Sequence, residues 1–185
     1  MKHRKKGPAM DDRLEQVILV DREDREIGRA DKLPAHHFGY LHRAVSICIV
    51  DDHGRMLLQR RAPEKYHSAG LWTNACCSHP RPGEATDRAA MRRLPEEMGF
   101  SCPLFFTVQT HYRAQVGGDL IEDELVHLFV GKYNGEVTPD PKEVDGVKWV
   151  SHDELKNDIY NNPDNYTYWF KHYIDTFGET LFRTP

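Results

Sequence analysis

Several common sequence patterns are missing from this chain, and each absence excludes a class of protein. No apolar run is long enough to cross a bilayer, and the charged segment Met1–Lys6 leads into no hydrophobic signal core. Basic residues (25) and acidic residues (29) nearly balance, so no global basic field argues for nucleic acid or an anionic membrane as a partner. The 4 cysteines show no disulfide-framework spacing, which favours reduced thiols. We therefore expect a cytoplasmic protein.

The chain also lacks internal repeats and low-complexity tracts. Its length of 185 residues suits one domain with a proper core and is too short for two of ordinary size. Polar residues 1–14 have nothing to bury and are predicted to be a flexible tail, so the domain is expected to cover residues 15–185. The sequence leaves the oligomeric state and the role of the basic tail open.

What is present indicates an α/β (α+β) domain with a mixed β-sheet packed between helices. Apolar and small residues alternate from Arg43 to Val50, which predicts a strand with Val45, Ile47 and Ile49 on one face. Further strands are predicted at 16–20, 55–61, 104–115, 124–133 and 147–150. Ser151 and Glu154 form a capping box that predicts the start of a helix, and an aromatic-rich helix is expected from about residue 165 to 177.

Two further segments are a helix that contains a proline and a stretch rich in histidine. Glu84–Met98 is predicted to be a helix with Met91, Leu94 and Met98 as its apolar stripe. Pro95 removes one backbone hydrogen bond inside it and predicts a bend there. The histidine-rich stretch from Lys32 to Arg43 is predicted to be a loop.

The densest chemistry lies between Leu71 and Phe100, which hold a pair of thiols, an imidazole and several carboxylates. One set of these residues is similar to the Nudix box, a loop-helix-loop whose carboxylates hold a divalent metal against a diphosphate; it comprises Glu84, Arg92, Glu96, Glu97, Gly99 and Phe100. Two positions depart from that box. Ser78 stands where the hydrolytic box has Gly, and Arg93 stands where it has Glu.

The preceding motif Thr73-Asn74-x-x-Cys77-x-His79-Pro80 is not a general Nudix feature. It resembles the type I isopentenyl diphosphate isomerases, an offshoot of the Nudix superfamily. The resemblance covers roughly residues 16–170 and lies in five separate segments. It implies a single-domain Nudix-type fold and an enzyme that interconverts isopentenyl diphosphate and dimethylallyl diphosphate by protonation and deprotonation.

The resemblance implies one transition-metal site, with His36, His42, His79, Glu122 and Glu124 as its ligands. Three imidazoles and two carboxylates suit manganese, zinc or iron better than calcium, whose preference is for oxygen alone. We expect Mn²⁺ or Zn²⁺. The alternative is that the histidines are polar loop residues and that the two glutamates lie on the solvent-exposed face of a hairpin. For any one residue alone this alternative is preferred, but five matching positions together favour a metal site.

The resemblance also implies a diphosphate site. Its cations are Lys32, Arg61, Lys65 and Arg93, with arginine giving forked hydrogen bonds and lysine a point charge. Glu97, with the backbone carbonyl of Cys77, would bind Mg²⁺ together with the substrate diphosphate. The plain alternatives are scattered surface charge for the cations and, for Glu97, a solvated helix carboxylate paired with Arg93.

Cys77, Glu124 and Tyr112 are the implied catalytic residues. We expect metal-bound Glu124, acting with Tyr112, to deliver a proton and the Cys77 thiolate to remove another. Trp169 is expected to face the substrate, although Tyr168 replaces the proline usual before it. Cys48, Cys76 and Cys102 are interpreted as structural, because a core cysteine is usually an inert small hydrophobe.

The sequence is also compatible with two other functions. A Nudix diphosphate hydrolase is the first, although Ser78 and Arg93 stand against it. A metal-stabilised binding module without catalysis is the second.

Overall fold

A computed structural model describes residues 15–183. A mixed sheet dominates this part of the chain and lies between helices, as the sequence predicted. The predicted tail, residues 1–14, lies outside the described residues. The elements are β1 (Gln16–Val20), β2 (Glu26–Asp31), α1 (Lys32–Phe38), β3 (His42–Val50), β4 (Met56–Arg61), β5 (Trp72–Asn74), β6 (Cys76–Ser78), α2 (Thr86–Met98), β7 (Leu104–Gly117), β8 (Leu120–Lys132), β9 (Val144–Val150), α3 (His152–Asn161) and α4 (Tyr168–Phe177).

Strand β3 separates two hydrophobic cores. Val45, Ile47 and Ile49 pack with α2 on one face, whereas Ala44 and Cys48 pack with α3 and α4 on the other. Successive side chains of a strand point to opposite faces, so a strand buried on both sides carries small or apolar residues at nearly every position. The predicted alternation along this strand is confirmed.

The pairing around β3 brings distant segments together. β8 runs parallel to β3, β6 runs antiparallel to it, and β7 pairs with β8 as a long hairpin. β4 carries β5 and β9 on its two edges. Strand β8 begins at Leu120 rather than at the predicted residue 124, and Glu122 therefore lies inside the strand rather than before it.

The predicted histidine-rich loop is partly wrong, because Lys32–Phe38 forms helix α1. Pro34 falls in its first turn, where a missing backbone N–H costs little. Gly39 ends it in the left-handed conformation with φ of 63°. Its buried residues are Lys32, Ala35 and His36.

Helix α2 continues past Pro95 to Met98, so the proline does not end it, while the bend itself stays a prediction. The predicted apolar stripe is wrong at one residue, because Met91 is 47% exposed whereas Leu94 and Met98 are buried. At about 100° per residue, Met91 and Glu97 lie on opposite sides of Leu94. The helix is turned toward the Glu97 side, and this rotation buries that carboxylate.

The remaining helices agree with the sequence. Ser151 and Glu154 form the predicted capping box of α3 in both directions. Short 3₁₀ turns at Pro163–Asn165 and Gly178–Phe182 flank α4. Within residues 15–183, no helix is both long enough and apolar enough to cross a membrane.

Candidate active site and metal centre

One cavity collects most of the side chains that the sequence singled out. It encloses about 520 Å³, part of it open to solvent. The predicted residues in its lining are Lys32, Arg61, Lys65, Cys77, His79, Arg93, Glu97, Tyr112, Glu122, Glu124 and Trp169. His36 and His42 are fully buried and belong to the same cluster of ligand atoms as His79 and Glu124.

Strand register explains how three of these residues meet. In the parallel pair β3–β8, His42 lies directly opposite Glu124, and in the antiparallel pair β7–β8, Tyr112 lies opposite the same Glu124. Opposed residues on one face of a sheet have side chains in contact range. An imidazole, a carboxylate and a phenol therefore stand in one row across three strands.

Four side chains converge as the ligands of a metal would. His79 Nε2 lies 2.9 Å from Glu124 Oε1 and 3.2 Å from His42 Nε2. The ligand atoms of His36, His42, His79 and Glu124 all lie within 4.8 Å of one another. This group contains four of the five predicted metal ligands.

The hydrogen bonds made by Nδ1 of two of these histidines favour metal binding through their other ring nitrogen. His36 Nδ1 lies 2.7 Å from the Lys32 carbonyl oxygen, and His42 Nδ1 lies 2.7 Å from that of Tyr40. A carbonyl only accepts, so Nδ1 carries the hydrogen and Nε2 keeps its lone pair, which is the usual support for a metal-bound histidine. His36 Nε2 is buried and has no hydrogen-bond partner among residues 15–183. A divalent cation would satisfy it.

Burial also keeps two of the imidazoles neutral. It lowers the pKa of His36 to about 4, with a further contribution from His42, and it lowers the pKa of His79 to about 3 against the opposing effect of Glu124. Only a neutral imidazole has a lone pair for a metal. At neutral pH these side chains are therefore already in the form that binds.

Glu122 is set apart from the group of four. Its grouping is with His36 and with His67, a residue that the sequence analysis missed. The Tyr112 hydroxyl lies 2.7 Å from Oε2 of Glu122 and 2.7 Å from Oε2 of Glu124. A hydroxyl has one hydrogen and donates to one of them at a time, so a proton on the other carboxyl completes the arrangement.

The two carboxyls differ in their surroundings, and this decides which of them holds the proton. Burial and the negative charge of Glu124 raise the pKa of Glu122 well above its ordinary value. Burial is the largest influence on Glu124 and opposes its ionisation, but the adjacent imidazoles of His42 and His79 outweigh burial and hold the pKa of Glu124 well below normal. Glu124 is therefore the ionised member of the pair.

Cys77 is held by two polar side chains. The β3–β6 register places it opposite Ser46, whose Oγ is 2.9 Å from the sulfur, and Asn74 Oδ1 accepts from the thiol at 3.3 Å. Asn74 is itself fixed by donating to Ser46 Oγ and to backbone carbonyls. Burial raises the pKa of the Cys77 thiol to about 12, although the Ser46 hydrogen bond works in the opposite direction. Burial therefore favours the thiol form of Cys77, and the thiolate expected from the sequence stays a prediction.

Trp169 is anchored from the same motif. Its indole Nε1 donates to Thr73 Oγ1 at 2.9 Å, and Thr167 Oγ1 donates to the same oxygen at 3.1 Å. All three side chains are buried. Thr73 and Asn74 therefore have distinct tasks, one holding the tryptophan and the other holding the cysteine.

The cations stand at the same cavity, already engaged with protein groups. Lys65 Nζ lies 2.8 Å from Glu143, and Lys32 Nζ lies 3.1 Å from Glu15. The Arg61 guanidinium lies over the Trp169 ring at 5.3 Å and donates to the His67 carbonyl. With Arg93, four basic residues from three separate segments therefore line one cavity.

Glu97 is buried rather than solvated. Its Oε1 pairs with Arg93 Nη2 at 2.6 Å, and Gln59 Nε2 lies 3.4 Å from its other oxygen. The helix ion pair that the sequence offered as the plain alternative exists. It lies inside the cavity, however, so the pairing does not remove Glu97 from the site.

The fold of this chain is shared by solved NUDIX structures. A model of the NUDIX domain matches residues 40–170. A protein from Deinococcus radiodurans superimposes with a TM-score of 0.68 at 16% identity, covering 80% of this chain and 90% of that one. A MutT NUDIX hydrolase from Burkholderia pseudomallei gives a TM-score of 0.59 at 20% identity, covering 74% and 98%. The class of protein is therefore the NUDIX domain, although likeness at these identities shows the fold alone.

Sequence relatives narrow the class. The isopentenyl-diphosphate Delta-isomerase 1 of Aromatoleum aromaticum is 50% identical over 161 residues, which cover 87% of this chain and 91% of the relative. The isopentenyl-diphosphate Delta-isomerase of Burkholderia multivorans is 49% identical over 164 residues, covering 89% and 93%. This chain belongs to the isopentenyl-diphosphate Delta-isomerase family. The predicted family is confirmed, and the relatives favour an isomerase over a generic hydrolase.

Proposed function

We propose that this chain interconverts isopentenyl diphosphate and dimethylallyl diphosphate by adding a proton at one carbon and removing a proton two carbons away. One observation carries the proposal: Cys77 and the pair of Glu124 and Tyr112 face a single cavity that four cations also line. A proton-transfer site and an anion site share that space. The product and the substrate differ only in the position of the double bond.

The reaction needs two proton-transferring groups held in place. An unactivated alkene is a poor base, so protonation leads through a species that resembles a tertiary carbocation. Cys77 would transfer a proton at one carbon, and Glu124, hydrogen-bonded to Tyr112, would transfer a proton at the other. Because the reaction is reversible, the group that donates a proton in one direction accepts a proton in the other. The hydrogen bonds of Cys77 to Ser46 and Asn74 hold the sulfur in position for this transfer.

Trp169 would protect the intermediate. An indole face over a cation contributes about 2 kcal/mol or more once water is removed. The ring is buried and fixed by its bond to Thr73, so it is positioned before substrate arrives. A dry pocket also prevents water from trapping the carbocation.

The diphosphate would act as a handle. Lys32, Arg61, Lys65 and Arg93 would bind its oxygens, and Glu97 with the Cys77 carbonyl would hold an accompanying Mg²⁺. Binding energy from this end orients the five-carbon end, where no charged group of the substrate exists to do so.

A second divalent cation, Mn²⁺ or Zn²⁺, is proposed at the histidine-glutamate cluster. His36, His42, His79 and Glu124 would hold it, with Glu122 beside them. The ion would supply a fixed positive charge that orients the Glu124 carboxylate. The donor set of imidazole and carboxylate fits such a metal. A cytoplasmic location is likewise proposed, supported by 4 cysteines that are all free thiols.

Turnover in heavy water tests the reaction. A double-bond shift through protonation must place deuterium in a methyl group of the product while the diphosphate stays intact. A diphosphate hydrolase breaks a P–O bond and leaves every C–H bond untouched. Phosphate release in step with substrate loss, without deuterium in carbon, would contradict the isomerase.

A further inference from the structure

His67 is a buried histidine of the cavity to which the proposed reaction gives no task. It lies between β4 and β5 and is 8% exposed. Its ring is stacked on that of His36, with the centroids 6.0 Å apart, and is nearly perpendicular to that of Trp169. It therefore stands between the metal cluster and the wall of the substrate cavity.

The backbone around His67 is held in a specific conformation. The next residue, Ser68, has φ of 51°, a left-handed conformation that residues other than glycine seldom adopt. Arg61 Nη2 donates to the His67 carbonyl at 3.1 Å. Strain of this kind persists where the surrounding structure enforces it, and it concentrates at functional sites. The His67 side chain beside it lines the cavity.

The distance between His67 and Glu122 bears on whether both side chains could bind one metal ion. His67 Nε2 lies 3.4 Å from Glu122 Oε1, which is longer than the usual N–H···O bond of about 2.7–3.2 Å. Metal bonds to imidazole and carboxylate are about 2.0–2.2 Å long, so two neighbouring ligands on one ion lie roughly 3 Å apart. The spacing is close to that of adjacent ligands. His36, His67 and Glu122 also place one ligand atom each within 4.8 Å of one another.

We propose that His67 is a further ligand of the divalent metal, entering on the side of Glu122 and joining that carboxylate to the group formed by His36, His42, His79 and Glu124. The inference rests on the proposed metal site. It explains why Glu122 lies outside the group of four: the ligand that links it to His36 is His67. The ion would then have four imidazoles and two carboxylates around it.

Metal binding to the metal-free protein tests the proposal without any substrate. Cobalt(II) is added to wild type and variants after chelation, and both the affinity and the visible absorption are recorded. His67→Ala should weaken binding by roughly tenfold or more, in line with losses at residues that support metal sites. Its cobalt spectrum should also become more intense, because a lower coordination number makes the visible bands stronger. His37→Ala, a change at an exposed histidine of α1, should leave both unchanged.

Two further variants separate the alternatives. His67→Gln fills the same space and can hydrogen-bond to Glu122 but is a poor ligand; if it keeps wild-type affinity and spectrum, His67 is not a ligand. His36→Ala tests the site itself. Weak binding in His36→Ala with normal binding in His67→Ala overturns the inference and leaves the metal site standing, whereas normal binding in both overturns the site as well. The heavy-water assay is independent of these measurements, so a failed isomerase would be recognised separately.

Discussion

The indole Nε1 of Trp169 donates its hydrogen to Thr73 Oγ1 across a buried distance of 2.9 Å. The two residues are far apart in the chain, and this bond connects helix α4 to the short strand β5. It holds the aromatic wall against the segment that carries the cysteine. The position of Trp169 therefore depends on a threonine that does not line the cavity.

Replacing Thr73 tests this dependence. Thr73→Val keeps the shape but leaves a buried indole N–H without an acceptor, which costs about 1–3 kcal/mol of unfolding free energy. We expect kcat to fall as well, because the ring is no longer fixed. Thr73→Ser retains the acceptor and is the matched control. Wild-type kcat and thermal stability in Thr73→Val would show that the bond positions nothing.

Substitution of the different cysteines should affect turnover and stability differently. Cys77→Ala should abolish turnover with the fold retained, because a proton-transferring group is lost. Cys48→Ala, in the core, should cost about 1 kcal/mol of stability and leave kcat near wild type. Cys76→Ala should resemble Cys48→Ala. Turnover assays and thermal melts on the three variants check this, and equal residual activity in Cys77→Ala and Cys48→Ala would make Cys77 a core residue only.

Glu97 should matter for substrate rather than for the tightly held metal. Glu97→Gln removes a charge from the proposed Mg²⁺–diphosphate site and should raise KM by roughly tenfold or more, the size expected for losing a charged hydrogen bond. The metal content measured by elemental analysis should not change. Glu96→Gln, an exposed neighbour that also pairs with Arg93, is the control. An equal KM for both variants would remove Glu97 from the site.

Acid should destabilise the metal-free protein through its buried imidazoles. Burial lowers the pKa of His36 to about 4 from 6.5, so the unfolded state takes up a proton first as pH falls. The stabilisation is present above pH 6.5 and is lost between there and about pH 4, on the order of 3 kcal/mol for this residue. Thermal melts at pH 7, 6 and 5 should show the loss. His36→Gln should flatten the pH dependence, and an unchanged slope would contradict the argument.

Parts of the fold were predictable because local sequence and tertiary structure agree. The two-face burial of β3 follows from its alternating pattern, and the Ser151–Glu154 box marks the start of α3. Helix α1 was not predicted, since seven residues give too little periodicity and its histidines suggest a loop. The error at Met91 has a tertiary cause: the helix turns to bury a carboxylate, which a hydrophobic pattern cannot reveal.

The candidate site was predictable where residues match a family motif and was missed elsewhere. His67 is a single histidine in an irregular segment with no spaced partner, so the sequence gives no signal for it. Ser46 was not among the predicted site residues. Its contact with Cys77 depends on the register between β3 and β6, which sequence periodicity does not determine.

The β7–β8 hairpin carries three acidic residues in succession, Glu122, Asp123 and Glu124, and two of them face inward. Asp123 points outward and binds His111 at 2.8 Å and Arg113 at 3.1 Å. A slip of one residue would exchange the faces, sending Asp123 toward the metal cluster and both glutamates to solvent. In the native register Asp123 lies directly opposite Arg113. These outward contacts of small energetic value therefore favour the register that buries both glutamates.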